Sequence, residues 1–264
     1  MFANERQDII YKMVKENGSV STSQLVEHFG VSIETIRRDL LSMEQNKMLY
    51  RVHGGAVRMG EMKTFDNLSE RVNLNNDSKL QLCRTAMDFI SDGDVIAVDA
   101  GSTAILFAEA LKERFTTMTV VTHCLDVFNM LCRFKDFNVI LCGGHFIKNE
   151  NAFSGPITIA AMELLHVQKV FLFPAALSLK SGICDHCLES FLIQQQLLKM
   201  GDSVHILADS SKFGCKELLK LDDMRQNYTY ISDSGLSASI KKMYEENGLR
   251  IITGVEDIKN EYEC

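Results

Sequence analysis

The residues Val95-Ile96-Ala97-Val98-Asp99-Ala100-Gly101-Ser102-Thr103 are the most chemically loaded run of this 264-residue chain. An apolar strand ends in a carboxylate, a glycine turn follows, and two hydroxyls stand where a helix would begin. Free N–H groups at a helix N-terminus, beside Ser and Thr hydroxyls, make an anion site. Gly101, Ser102 and Thr103 could thus cradle a phosphate, while Asp99 accepts from sugar hydroxyls. The same hydroxyls would equally serve as caps on a structural helix. Similar groups follow other apolar runs: His123 after Thr119–Thr122, Gly143 and Gly144 after Asn138–Cys142, and Asp209 and Lys212 after Val204–Ala208. Glu189 opens a helical segment after the Ser181-Gly182 turn. Lys212 offers a point charge to a phosphate, and Gly143-Gly144 would let a ligand approach the backbone. Each has an ordinary structural explanation taken singly. Together they converge on one edge of a sheet, where parallel α/β folds bind ligands.

A second constellation lies near the start. Ser32 can cap a helix running to about Asn46. On a helical wheel Ile33, Ile36, Leu40 and Met43 fall within an arc of about 80°, so they are expected inward. Glu34, Arg38 and Gln45 lie opposite, with Thr35 and Arg37 on the flanks. Arginine is the side chain that reads guanine bidentately or clamps phosphate. Ser32, Glu34, Thr35, Arg37 and Arg38 are therefore candidate DNA contacts. Asp39, at the edge of the apolar arc, is expected to hold an arginine or a backbone group. A solvated charged face would show the same pattern.

The elements that must position these groups follow from periodicity. Two short helices precede the Arg-bearing one, the first with Ile9, Ile10, Met13 and Val14 as its stripe, the second with Leu25, Val26 and Phe29. After it, Met48–Val52 reads as a strand, His53-Gly54-Gly55 as a turn and Ala56–Arg58 as a return: a two-stranded wing. Arg51, His53, Gly54 and Gly55 join the candidate DNA contacts, since glycine lets backbone approach a phosphate closely. Helix, glycine-containing turn and helix is the arrangement that lays the later helix in the major groove. Residues 59–77 are polar and weakly patterned, a linker. From Ser78 onward, strands alternate with helical segments, which means βαβ units and a mostly parallel sheet. The fold class is α/β: a winged helix-turn-helix at 1–58, a linker at 59–77 and a mostly parallel α/β domain at 78–264.

Composition narrows the function classes. No run approaches eighteen apolar residues, so no membrane span is expected. The start, Met1 to Asp8, lacks the apolar core of a secretion signal, and eight scattered cysteines read as reduced thiols in a cytoplasm. The net charge is −7, but residues 1–58 balance at +1 and the rest at −8. A near-neutral head on an acidic body suits a specific DNA module more than general nucleic-acid affinity. Cys184-Asp185-His186-Cys187 offers two thiols and a histidine, but a structural zinc site wants four ligands, so no metal is expected, and no cofactor fingerprint is present. A sugar-phosphate isomerase is the rival reading, because Asp99, Glu189, Asp209 and Lys212 could also move protons. It leaves the head unexplained.

Val31-Ser32-Ile33-Glu34-Thr35-Ile36-Arg37-Arg38-Asp39-Leu40, followed by Arg51-Val52-His53-Gly54-Gly55-Ala56, closely resembles the N-terminal signature of DeoR-family transcription regulators. Asp99-x-Gly101-Ser102-Thr103, the Val120-Val121-Thr122 strand, Cys142-Gly143-Gly144 and Asp209-Ser210-Ser211-Lys212-Phe213-Gly214 stand in the order of the DeoR-type sensor domain. Arg71 and Lys79 match its linker and opening helix. The resemblance spans about Glu5 to Asp233. It implies a sensor fold akin to ribose-5-phosphate isomerase and CoA transferases, double-stranded operator DNA as partner, and a phosphorylated sugar as effector. It also implies a repressor of carbohydrate genes, relieved by its effector; a homo-oligomer that pairs its heads on two half-sites is expected. Two departures stand out: His123 replaces the family's usual Asn, and Ala175-Ala176-Leu177-Ser178 lacks the glycine common there. Both point to an altered pocket.

Overall fold

The computed structural model describes residues 3–17, 19–46, 48–52, 55–58 and 68–259. They form two compact units, one within residues 1–65 and one within 66–264.

The first unit runs α1 (Ala3–Asn17), β1 (Ser19–Ser21), α2 (Thr22–Phe29), α3 (Ile33–Gln45), β2 (Leu49–Val52) and β3 (Gly55–Arg58). Ile10, Val14, Leu25, Ile36, Leu40 and Met43 pack into its core with Leu49 and Ala56. Gly30 adopts φ +62°, the left-handed conformation that ends α2. Ser32 caps α3, its hydroxyl accepting from the Thr35 N–H at 3.2 Å. The wing has three strands in the order β1-β3-β2, all antiparallel, because β1 adds a short edge strand to the expected pair.

Ile33 departs from expectation. It is 49% exposed, whereas Ile36, Leu40 and Met43 are at most 2% exposed. A helical side chain leans back over the turn before its own Cα. As the first residue of α3, Ile33 has no such turn and projects outward. Asp39 does hold an arginine: its carboxylate pairs with Arg6 of α1 and accepts from Gln7 Nε2 at 3.3 Å. Both charged partners are buried.

The second unit opens with α4 (Leu68–Asn73), inside the stretch read as linker, and α5 (Asn76–Ala86). Then come β4 (Val95–Val98), α6 (Ser102–Arg114), β5 (Met118–Thr122), α7 (Leu125–Leu131) and β6 (Phe137–Leu141). A hairpin, β7 (His145–Ile147) and β8 (Ala152–Ser154), leads to α8 (Pro156–Glu163) and β9 (Val167–Leu172). Next are β10 (Ala176–Ser178), β11 (Gly182–Asp185), α9 (Leu188–Leu197), β12 (Gly201–Leu207) and β13 (Leu219–Asp222). The chain continues through β14 (Tyr228–Ile231), α10 (Ala238–Glu245), β15 (Arg250–Ile252) and α11 (Val255–Lys259).

Seven strands make one sheet in the order β15-β14-β12-β9-β4-β5-β6, every neighbouring pair parallel. Its strands are buried on both faces by the two-residue alternation of side chains. Ile96 and Val98 face one core with α5, α6, α7 and α11. Ala97 faces the other, with α8, α9 and α10. The chain winds outward from β4 through β5 to β6, and from β9 through β12 and β14 to β15. The winding direction reverses between β4 and β9, the switch point where such sheets open a crevice. A small antiparallel sheet, β10-β11-β13, packs beside it. It holds the Ala176–Ser178 stretch that lacks the expected glycine: Leu177 is wholly buried and its carbonyl accepts from Gly214 N–H at 2.7 Å.

Asp39→Ala is expected to leave Arg6 as a buried, unpaired charge. The cost should be about 3 kcal/mol of stability in the first unit, seen as faster hydrogen exchange at α1 and α3 amides. Unchanged protection would show that the pair contributes nothing.

Candidate effector site and DNA-reading surface

Asp99 leaves the end of β4 at the switch point and is 1% exposed. Three groups converge on its carboxylate. Oδ1 meets His123 Nε2 at 3.1 Å, and Oδ2 accepts from Phe173 N–H at 3.3 Å and Gln194 Nε2 at 3.1 Å. His123, beyond β5, is fully buried and directs Nδ1 to the Phe153 carbonyl at 2.9 Å. Both ring nitrogens are thus used within the protein, so His123 orients Asp99 and does not face a ligand itself. Gln194 of α9 places Nε2 also on Asp185 Oδ2, at 3.0 Å, while its Oε1 has no partner among the described residues. Asp185 and Gln194 were not singled out from sequence. Nothing in their spacing relates them to Asp99; only the fold brings α9 and β11 over the end of β4.

The turn after Asp99 has the predicted form. Gly101 adopts φ +121°, which favours glycine, and N-caps α6 without any side-chain cap. Ser102 and Thr103 are buried in the first turn, and neither caps it. The purely capping role open to these hydroxyls is therefore not the one they fill. Cys83 of α5 reaches this turn, its Sγ 3.8 Å from the Thr103 carbonyl. One turn earlier on α5 stands Lys79, buried, its ammonium donating to the Arg71 carbonyl. Arg71 itself pairs with Glu150.

Lys212 approaches the same region from the opposite side of the switch point. It sits in a 3-10 turn, Ser210–Lys212, capped by Asp209 after β12, and its Nζ donates to the Pro174 carbonyl at 2.7 Å. Asn75 Nδ2 donates to Asp209 Oδ1 at 3.2 Å and to Ser211 Oγ at 3.1 Å, joining the start of α5 to this turn. Burial first, then the nearby charges of Lys212 and Arg71, push the Lys79 ammonium down to about 8 against the opposing pull of Asp209. Two lysines and an uncapped helix terminus thus face this corner with Asp209 as counter-charge. Such a corner is chemically suited to an anion. Lys79 is not among the candidate site residues; the resemblance matches it only as part of the helix that opens the domain.

The remaining candidates divide. Gly143 follows β6 with open space where a Cβ would stand. Gly144 does not serve ligand approach as expected: a Cβ there would lie 2.2 Å from Thr158 Oγ1 and 2.7 Å from the Ser154 carbonyl, so packing against α8 requires glycine. Glu189 is exposed in the first turn of α9, its Oε2 3.7 Å from Cys187 Sγ. Cys184 and Cys187 are buried and donate to the Ser181 carbonyl and Ser190 Oγ. No three His, Cys, Asp or Glu side chains among the described residues could hold a metal ion.

On α3, Ser32, Ile33, Glu34, Arg37 and Arg38 are exposed and Thr35 half-buried. Glu34 and Arg37 form a loose surface pair at 3.5 Å, of little energetic weight in water. Ser32 and Thr35 hydroxyls bond one another at 2.9 Å. Arg51, Gly55 and Arg58 lie in the wing strands β2 and β3; His53 and Gly54 lie outside the described residues.

Residues 6–61 match the DeoR-like helix-turn-helix domain, and residues 74–234 match the DeoR C terminal sensor domain. The chain belongs to the DeoR family. It is a DNA-binding transcriptional regulator, not an enzyme, so the isomerase alternative falls. Among its relatives, the uncharacterized HTH-type transcriptional regulator YulB of Bacillus subtilis is 30% identical over 95% of this chain and 96% of its own. The lactose phosphotransferase system repressor of Staphylococcus epidermidis is 31% identical over 87% of this chain and 92% of its own. The L-fucose operon activator of Haemophilus influenzae is 27% identical over 94% and 99%. Among solved structures, ribose 5-phosphate isomerase A from Neisseria gonorrhoeae aligns with 52% of this chain and 53% of its own at 16% identity, with a TM-score of 0.38.

The depressed Lys79 of this DeoR-family regulator has a signed consequence. Its folded value, about 8, lies below the ordinary 10.5, so the unfolded chain binds more protons between these values and stability rises with pH there. Stability of the wild type relative to Lys79→Met should therefore increase from pH 8 to pH 10 in denaturant titrations. A flat difference would mean that Lys79 titrates as an ordinary exposed lysine.

Proposed function

We propose that this DeoR-family regulator represses carbohydrate-metabolism genes and is released from its operator by a phosphorylated sugar. The observation that carries the reading is the corner at the switch point. Gly101, Ser102 and Thr103 present an uncapped helix terminus to the phosphate, and Lys79 and Lys212 supply its counter-charge. Asp99, held by His123 and Gln194, and Asp209 and Glu189 take the sugar hydroxyls, with Gly143 giving room at the β6 end. The names of the lactose-system repressor and the fucose-operon activator support the choice of sugar genes. They differ in sign, and repression follows the first of these.

In this reading residues 1–58 are the DNA-binding domain, 59–77 the linker and 78–264 the sensor. Arg37 and Arg38 enter the major groove, with Ser32, Glu34 and Thr35 beside them, while Arg51 and the His53-Gly54-Gly55 turn contact the flanking backbone. A homo-oligomer pairs the heads on repeated or palindromic half-sites. The effector shifts the oligomer between DNA-competent and incompetent arrangements only through its differential affinity for the two. No described helix is long and apolar enough to cross a membrane, and the reading places the protein in the cytoplasm with its operator.

Arg38→Ala should weaken specific duplex binding by about 1–3 kcal/mol and relax specificity at one base pair. Full affinity in a gel-shift titration would remove Arg38 from the recognition role. Thr103→Val combined with Lys212→Ala should abolish the thermal shift that the wild type shows with a panel of pentose and hexose phosphates. An undiminished shift would move the pocket elsewhere.

A further inference from the structure

We infer that Ile33 reads the 5-methyl group of a thymine in the operator, a role that rests on the DNA-reading function proposed for α3. A lone exposed aliphatic side chain is ordinary on a protein surface. Ile33 differs by its place. It is the first residue of α3, it is 49% exposed, and it is absent from the core that Ile36, Leu40 and Met43 build. In this class of motif the N-terminal residues of the recognition helix reach the base edges.

The polar groups around it have work within the protein. The Ser32 hydroxyl caps α3 through Thr35 N–H and bonds Thr35 Oγ1, and Glu34 lies against Arg37. Among them Ile33 stands as an exposed apolar group at the leading end of the helix. Arg37 stands four residues on, along the same stripe of the helix, so a groove that receives its guanidinium also receives Ile33. The floor of the major groove offers one apolar group, the thymine methyl. A β-branched side chain with few rotamers meets it at little entropic cost.

The test uses the full chain and duplexes that it enriches from a random library. Each thymine of the enriched site is replaced singly by deoxyuridine, which removes only the methyl. For the wild type, at least one replacement should weaken binding about fourfold, the worth of one buried methyl. Ile33→Ala should bind more weakly and lose that sensitivity at the same thymine, while Ile33→Val should keep it. Ile33 is exposed, so an unchanged melting temperature is expected for both variants. If no thymine is sensitive, or if Ile33→Ala keeps the full penalty, the assignment is overturned. Failure to enrich any duplex would instead strike the DNA-reading function itself, and this assignment with it.

Discussion

The Asp99 carboxylate closes the seam between the two halves of the sensor sheet. A parallel sheet that winds in opposite directions from its centre has no loop crossing that seam at its carboxyl edge. Asp99 bridges it from the end of β4 to the Phe173 amide beyond β9, and is itself held by His123 and Gln194. Each partner belongs to a different element or the turn after it, so one buried carboxylate ties together the ends of β4, β5 and β9 and the helix α9. A buried carboxylate is tolerated only when its lone pairs are met, and here donors from three directions meet them. The turn that presents Gly101, Ser102 and Thr103 starts two residues later, and inherits that rigidity.

The head depends on a smaller version of the same device. Arg6 and Asp39 join α1 to α3 at the margin of a core of few side chains. With Asp39 turned inward to Arg6, its neighbours Arg37 and Arg38 are left outward. The acid at the edge of the apolar arc is thus what aims the charged stripe.

Much of this was legible from the residues, for identifiable reasons. Strands of a doubly covered sheet are short apolar runs, and the groups that follow them mark its carboxyl edge, which is why Asp99, His123, Gly143 and Asp209 could be placed together. The antiparallel pieces were not legible: β7, β8 and β10 have three residues each, too few for alternation to register. Gly144 looked like an opening for a ligand because a glycine's spacing does not say whether a ligand or Thr158 lies over it. His123, a departure from the family pattern, turned out to serve the protein's own carboxylate. Asp185 and Gln194 were missed, and Lys79 was matched to the family without a role at the site, because their importance is a matter of neighbours distant along the chain. Ile33 fitted the inward arc of the wheel, and the wheel has no way to show that the helix starts there.

Gln194 has a consequence of its own. One NH2 group donates to two carboxylates, Asp99 at 3.1 Å and Asp185 at 3.0 Å. That double attachment forbids the usual end-for-end ambiguity of a side-chain amide, since reversing it would set an oxygen against two anions. The carbonyl end therefore has a fixed bearing. Glutamate, identical in outline, would crowd a third acid into the same space, so chemistry and not shape holds this position to glutamine.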